Sequence, residues 1–199
     1  MTRRVCLVGA AGPSNRWAND LEPDVEIWAM NMTHRFLQPG KASRWFQMHH
    51  RIHNSQNGHP PGHFGRPLDH DEFLRSLEIP IYMQEVDPLI PASVRYPIEQ
   101  VTSRWRAYFT STVPYMIALA LHEGVDELGL LGIYLSSTTE RQAHRACVEY
   151  WLGVAEGMGV KIVMPDDNPM LQSPLYGYTV EDRYDPADGL TLKSVEVVR

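Results

Sequence analysis

Short apolar runs alternate with helix-like patterns along this chain, and the alternation constrains the fold more than any other feature. Residues 5–8 form an uninterrupted apolar run, which is typical of a strand buried on both faces of a parallel sheet. Five further strands are predicted, at residues 25–30, 44–48, 79–83, 128–133 and 160–164. Strands separated by helices favour an α/β, Rossmann-like fold, in which a mostly parallel sheet has helices on both faces.

Two segments between these runs have apolar residues at every third or fourth position, which predicts helices. The first is expected to end at Gly124 and the second at Gly157, and a short helix is predicted over residues 69–77. The apolar faces of the two longer helices consist of Val113, Met116, Ile117, Ala120 and Leu121, and of Ala143, Ala146, Cys147, Tyr150, Trp151 and Val154.

The length of 199 residues predicts a single domain over 1–199. Long loops are expected near 50–70 and 87–97, with an irregular extension from 165 and a candidate edge strand at 190–198. The net charge of −6 argues against a protein that grips nucleic-acid backbones over its whole surface.

Cys6 and Cys147 lie in apolar segments and are interpreted as buried free thiols. The first apolar run is too short for a signal peptide, and no span approaches the length of a membrane helix. We therefore expect a cytoplasmic protein with no membrane partner. Five tryptophans fit a homo-oligomer interface and a buried core equally well.

The loop after the first strand is the first candidate ligand site. Gly9 and Gly12 let the backbone approach a ligand closely, and the next helix start offers N–H groups to an anion. Pro13 belongs to the same loop, and Ser14 is placed to cap that helix or to contact a phosphate. The loop has neither a full Gly-x-Gly-x-x-Gly pattern nor a Walker ending. From these residues alone, a tight turn without a ligand is an equal alternative.

Three consecutive hydroxyl residues, Thr110, Ser111 and Thr112, precede the first long helix. One hydroxyl is enough to cap a helix, and the excess indicates hydrogen bonds to a ribose or a phosphate. Asn31 follows the second strand, and Gly132 lies near the end of the 128–133 strand. Because ligands of open α/β sheets bind beyond the carboxyl ends of the strands, these residues and the glycine loop predict one shared site.

Six of the nine histidines lie between residues 49 and 70, without the spacing of a metal site. A polar loop is therefore favoured, and neither a metal nor a firm cofactor is expected. His49 and His50 follow a predicted strand, and either is a candidate general base because histidine titrates near neutrality. Glu140, at a helix start, is the third catalytic candidate.

Four short motifs carry a resemblance to a known family: Gly-Pro-Ser at 12–14, Asn31, the segment 110–116 and Leu-Leu-Gly-Ile at 130–133. They resemble Rossmann-like glycosyltransferases, namely the bacterial sialyltransferases that make lipooligosaccharide. Motility-associated glycosyltransferases and archaeal pterin pyrophosphokinases are distant relatives of that group. The chain is also similar to small phage-encoded relatives at 44–49, 80–83, 109–121 and 149–153.

In those sialyltransferases the corresponding motifs hold a cytidine nucleotide, and a histidine acts as the base without a metal. The relatives usually carry an acidic residue two positions after the glycine of Leu-x-Gly-Ile, where this chain has Tyr134. The resemblance implies nucleotide contacts from Gly9, Gly12, Ser14, Asn31, Thr110, Ser111 and Thr112.

The first functional hypothesis is a glycosyltransferase whose co-substrate is a nucleotide sugar and whose loop histidine deprotonates an acceptor hydroxyl. The phage resemblance implies a hydroxylated base in DNA as the acceptor. A local basic groove would then consist of Arg44, Arg51, Arg66, Arg104 and Arg106. The second hypothesis is a nucleotide-binding or sequestering module without turnover, which Tyr134 favours. A third is a pyrophosphokinase, with Asp166 and Asp167 as its acidic pair.

Overall fold

The computed structural model describes residues 2–49, 68–135, 139–172, 178, 183–185 and 191–193. The chain divides into two compact units, Met1–Asn168 and Pro169–Arg199. The first unit holds a seven-stranded sheet, and the second holds an antiparallel pair of strands. The unit boundary lies close to residue 165, where the irregular extension was predicted to begin.

The sheet of the first unit contains seven parallel strands in the order β5-β4-β3-β2-β1-β6-β7. This arrangement confirms the predicted α/β, Rossmann-like fold. The strands are β1 (Arg4–Val8), β2 (Val25–Met30), β3 (Arg44–Phe46), β4 (Ile81–Met83), β5 (Ser93–Arg95), β6 (Glu127–Leu131) and β7 (Lys161–Val163). The helices are α1 (Leu68–Ser76), α2 (Ile98–Arg104), α3 (Thr112–His122) and α4 (Thr139–Gly157), with 3-10 helices at Ser14–Asp20 and Thr33–Arg35.

Two elements of this unit were missed by the sequence analysis, and one prediction about the second unit was wrong. Part of the predicted loop at 87–97 is β5, an edge strand whose mostly exposed side chains form no apolar run, and α2 follows it. The described residues of the candidate edge strand at 190–198 do not join the main sheet. Its residues Thr191–Lys193 form β9, which pairs with β8 (Arg183–Asp185). Residues 50–67 of the long predicted loop lie outside the described residues.

Alternate side chains of the central strands pack against the helices on each face of the sheet. On one face, Cys6 and Ile27 join a buried cluster with Leu74 of α1. On the other face, α3 packs against β1 and α4. A stack of three aromatic rings there crosses neighbouring strands, with Phe46 between Trp28 at 5.5 Å and Tyr82 at 5.0 Å between ring centroids. Burial on both faces explains why the central strands are continuous apolar runs.

Both cysteines are buried and free, as predicted. Burial raises the pKa of the Cys6 thiol to about 12, so this side chain stays protonated at neutral pH. Within the described part of the chain, no helix combines the length and the apolar character needed to cross a bilayer.

A network of charged side chains connects β1, β2 and β3 to the end of α3. Arg3 bonds to Glu26 and Glu123, each at 2.8 Å, and Arg44 bonds to Glu123 at 2.6 Å. Arg44 also lies over the Trp28 ring, 4.5 Å from its centroid. Its guanidinium is therefore already paired, and the basic groove for DNA to which Arg44 was assigned stays a prediction.

The two carboxylates of this network predict how stability depends on pH. Hydrogen bonds from Arg3 lower the pKa of Glu26. For Glu123, burial opposes the charge, but hydrogen bonds from Arg44 and Arg3 outweigh it and lower the pKa. A carboxyl whose pKa is depressed in the folded state stabilises the fold above its ordinary pKa of about 4.3, and this stabilisation is lost as the pH falls further.

We therefore expect the free energy of unfolding, measured by urea denaturation, to decrease from about pH 5 to pH 3. Glu123→Gln should be less stable than the wild type at neutral pH, because Arg3 and Arg44 lose their shared charged partner. Its stability should also fall less over the acidic range. An unchanged pH dependence in this variant would contradict the assignment.

Candidate functional site

A cavity of about 460 Å³ lies at the carboxyl edge of the sheet, between the ends of β1 and β6. From β1 the chain adds β2, β3, β4 and β5 in turn on one side of β1. The next strands, β6 and β7, lie on the other side of β1, so the strand order reverses between β1 and β6. Open α/β sheets bind ligands at such a switch point. The lining residues are Gly9, Ala10, Ala11, Gly12, Met30, Val113, Gly132, Ile133, Tyr134 and Leu135. Three predicted site residues, Gly9, Gly12 and Gly132, are among them.

The floor of the cavity consists of two loops in backbone contact. The N–H of Gly9 donates to the carbonyl of Leu131 at 2.8 Å, and the N–H of Ala11 donates to that of Gly132 at 3.0 Å. A Cβ atom on Gly9 would overlap the Gly132 carbonyl oxygen. Gly132 has a φ of +66°, and a Cβ there would lie 2.6 Å from the Gly9 oxygen. Glycine is therefore required at both positions for the loops to meet.

Ser14 lies inside this contact rather than on the cavity wall. Its side chain is fully buried, and its Oγ accepts the N–H of Gly132 at 3.0 Å and lies 2.9 Å from the Tyr134 hydroxyl. Pro13, which is exposed, occupies the N-cap position of the following 3-10 helix, so the prediction that Ser14 caps it was wrong. The structure assigns Ser14 to holding the loops together, and its contact with a phosphate stays a prediction.

Two predicted site residues beside the cavity contain a buried polar atom that has no hydrogen-bond partner among the described residues. Asn31 directly follows Met30 of the cavity wall, adopts a φ of 50°, and leaves its Oδ1 unpaired. Ser111 precedes α3, whose Val113 lines the wall, and leaves its Oγ unpaired. Buried polar atoms nearly always have a partner, so such atoms require an explanation.

The three hydroxyl residues differ in their surroundings. Thr110 is exposed, and Thr112 is buried as the first residue of α3. Ser111 occupies the N-cap position with an extended backbone, but its side chain makes no capping hydrogen bond. The expectation that one of these hydroxyls caps the helix was therefore wrong for Ser111, which leaves its oxygen available to another partner.

The segment before these hydroxyls is held in place by α4. The carbonyl of Tyr108 accepts hydrogen bonds from Trp151 Nε1 at 2.7 Å and from Cys147 Sγ at 3.2 Å. Phe109 stacks between Tyr115 and Trp151, with ring centroids at 4.4 Å and 5.2 Å. Helical periodicity placed Trp151 and Cys147 on an apolar helix face. A periodic pattern does not show which backbone group the indole N–H or the thiol will bond to.

The catalytic candidates are not brought together in the described structure. His49 is exposed beyond β3 and does not line the cavity. His50 lies outside the described residues, and Glu140 belongs to α4 but its side chain is likewise not described. Another histidine of the predicted loop, His70, is buried in α1 with its Nε2 3.0 Å from Gln47 Oε1.

Tyr134 lines the cavity but was not among the predicted site residues. Of the described residues that line the cavity, it alone has an ionisable side chain. No group of three or more potential metal ligands among histidine, cysteine, aspartate and glutamate occurs within the described residues. Among the described lining residues there is no arginine or lysine, so a phosphate in this cavity would meet backbone N–H groups and hydroxyls of those residues and their neighbours.

Comparisons with known proteins find similar structures but no similar sequence. No protein-family model matches this chain, and no curated protein is similar to it in sequence. Solved structures of the sialyltransferase CstII do match, and one of them, from Campylobacter jejuni, holds the substrate analogue CMP-3FNeuAc. Its TM-score is 0.51 at 16% identity over 86% of this chain and 88% of that chain.

Two further CstII structures give similar values. A single-residue variant in complex with CMP has a TM-score of 0.50 at 14% identity, covering 87% of this chain and 89% of that one. A complex with a trisaccharide acceptor and CMP has a TM-score of 0.50 at 15% identity, covering 86% and 89%. These matches show that this chain shares the fold of CstII over most of its length.

The glycine contact can be tested with a matched pair of substitutions. Gly132 and Gly124 both have positive φ, at 66° and 78°, but a Cβ on Gly124 would have no atom within 4 Å. Gly124→Ala should lower the free energy of unfolding by about 1 to 2 kcal/mol, the cost of the left-handed conformation. Gly132→Ala should lose roughly a further 1 to 3 kcal/mol from overpacking. Equal losses in urea denaturation would show that the loops can separate without cost.

Proposed function

We propose that the cavity binds the nucleotide of a nucleotide sugar and that this chain is a glycosyltransferase-like enzyme. The observation that carries the proposal is a cavity at the switch point, beside which two buried atoms, Asn31 Oδ1 and Ser111 Oγ, have no partner among the described residues. A nucleotide supplies hydroxyl, amino and ring groups that can satisfy such atoms. The fold shared with CstII, whose structures contain CMP or a CMP-linked sugar analogue, supports this choice.

The size and lining of the cavity fit a nucleotide held largely by backbone groups. A volume of about 460 Å³ is within the usual range of ligand pockets, roughly 300 to 1,000 Å³. The loop at 9–12 brings main chain to the wall without bulky side chains. The N-terminus of α3 adds N–H groups and the positive end of its dipole, which favour a phosphate. Gly9, Gly12, Pro13, Ser14, Asn31, Gly132 and the hydroxyl residues 110–112 remain our proposed nucleotide-binding set.

The proposed reaction is transfer of the sugar to an acceptor hydroxyl. A base removes the hydroxyl proton, the acceptor oxygen bonds to the anomeric carbon, and the bond from that carbon to the phosphate oxygen breaks. Backbone N–H groups stabilise the negative charge that develops on the departing phosphate. His49, His50 and Glu140 remain our candidates for the base. The nucleotide sugar is the co-substrate, and we propose no metal.

Our proposal for the acceptor rests on the resemblance alone. The proposed acceptor is a hydroxylated base in phage DNA, although Arg44 is paired and Arg104 stacks over Trp105, with its guanidinium carbon 4.5 Å from the ring centroid. Cytoplasmic location and homo-oligomer formation likewise remain expectations.

A non-catalytic nucleotide-binding module is the second candidate function. It is favoured by the absence of carboxylate and imidazole groups among the described lining residues.

Binding can be tested by calorimetry and thermal unfolding with CMP and a CMP-sugar, with UMP as the comparison nucleotide. At about a hundred times its dissociation constant, CMP should stabilise the fold by roughly 2.7 kcal/mol. Ser111→Ala and Asn31→Gly should each weaken CMP binding about three- to tenfold, the usual effect of one neutral hydrogen bond. Glycine is chosen for Asn31 because it adopts a positive φ without strain.

The stability of the free variants distinguishes a ligand-binding role of Ser111 from a structural role. Truncation of an unpaired buried polar group relieves its desolvation cost, so free Ser111→Ala should be as stable as the wild type or more stable. Ser103→Ala is the matched control. Its exposed Oγ donates to the Gln100 carbonyl on α2, and its loss should leave CMP binding unchanged. Failure of CMP and CMP-sugars to bind the wild type would overturn the proposal. Binding without hydrolysis or transfer would select the non-catalytic module.

A further inference from the structure

Tyr134 links three loops at the edge of the cavity. Its ring lines the cavity wall, and its hydroxyl lies 2.9 Å from Ser14 Oγ and 3.3 Å from Asp167 Oδ1. Ser14 follows β1, Tyr134 follows β6, and Asp167 follows β7. We call these three side chains the Tyr134 bridge.

The hydrogens of the Tyr134 bridge can be assigned from the groups that it contains. Ser14 Oγ already accepts the N–H of Gly132 at 3.0 Å. A phenol has one hydrogen to donate, and an ionised carboxylate can only accept. Both bonds of the bridge therefore form together only if Ser14 donates to Tyr134 and Tyr134 donates to Asp167. The result is one continuous chain of hydrogen bonds from the backbone of the β6 loop to a carboxylate beyond β7.

The loop that contains Tyr134 has an unusual backbone. Gly132 and Leu135 both line the cavity, with φ values of 66° and 48°, in the left-handed region. Leucine rarely adopts this conformation, which persists where surrounding contacts maintain it. The Tyr134 hydroxyl, one residue before Leu135, provides such contacts to the loops on both sides.

We propose that Tyr134 is a positioning residue of the nucleotide site, which acts through Ser14 and Asp167 to hold the 132–135 loop against the 9–14 loop. The inference rests on the proposed function, because it assigns Tyr134 a role in the same site. Loops held in place before binding spare the ligand the cost of ordering them. The hydroxyl therefore contributes to affinity although it need not touch the nucleotide.

The first test compares two tyrosines that each lose one hydroxyl. Tyr134→Phe keeps the ring in the cavity wall and should weaken CMP binding about three- to tenfold in calorimetry. Tyr82→Phe removes a hydroxyl that accepts from the Arg44 guanidinium at 3.2 Å and that does not line the cavity. It should lower the melting temperature and leave the CMP dissociation constant unchanged. If Tyr82→Phe weakens CMP binding as much as Tyr134→Phe does, the positioning role is overturned.

The second test varies Asp167, whose side chain is exposed. Asp167→Ala and Asp167→Asn remove the same charge, but asparagine keeps an oxygen that accepts from Tyr134. CMP should bind about threefold more weakly to Asp167→Ala than to Asp167→Asn, and this difference should vanish when Tyr134→Phe is present in both. A purely structural role would not link the two positions through the CMP dissociation constant.

The outcomes distinguish this inference from the proposed function. If the wild type binds no CMP and no CMP-sugar, both are overturned. If the wild type binds CMP and Tyr134→Phe binds it equally well, the positioning role alone is overturned. A persistent difference between the two Asp167 variants in the Tyr134→Phe background would also overturn it, because Asp167 would then act without Tyr134.

Discussion

The close contact between the β1 and β6 loops is the constraint on which the rest of this site depends. Gly9 and Gly132 meet backbone to backbone, at a separation that no side chain allows. The N–H groups of Gly9 and Ala11 donate to the carbonyls of Leu131 and Gly132 there, so these backbone groups of the cavity floor are paired. Main chain rather than long side chains therefore forms the floor of the cavity.

Polar side chains around this floor follow two different rules. Ser14 and Tyr134 are satisfied by each other and by neighbouring loops, so they act within the protein. Asn31 and Ser111 each leave a buried oxygen without a partner among the described residues. Because an unpaired buried polar group lowers stability, our proposal pairs these two atoms with a bound nucleotide.

The hydroxyl residues of the cavity flank are held in place by α4, which lies well beyond them in sequence. Trp151 and Cys147 of α4 hold the Tyr108 carbonyl, and Phe109 is clamped between two rings. These contacts place the hydroxyl residues at the start of α3. The other end of α3 lies at the opposite edge of the sheet. Glu123 at that end forms ion pairs with Arg3 and Arg44. The position of α3 relative to the cavity is therefore set at both ends.

The sequence by itself determined the α/β class, the parallel strands, the two long helices and the carboxyl edge that holds the site. These features have local signals in the sequence, namely apolar runs, helical periodicity and the glycines after β1. Each signal can be recognised within a single segment of the chain. Edge strand β5 was missed because an exposed strand needs no apolar run. Only the tertiary structure decided what each polar residue does. Ser14, Tyr134 and Asp167 are joined by hydrogen bonds across 120 and 33 positions of the chain, and such contacts depend on strand order, which no local pattern records.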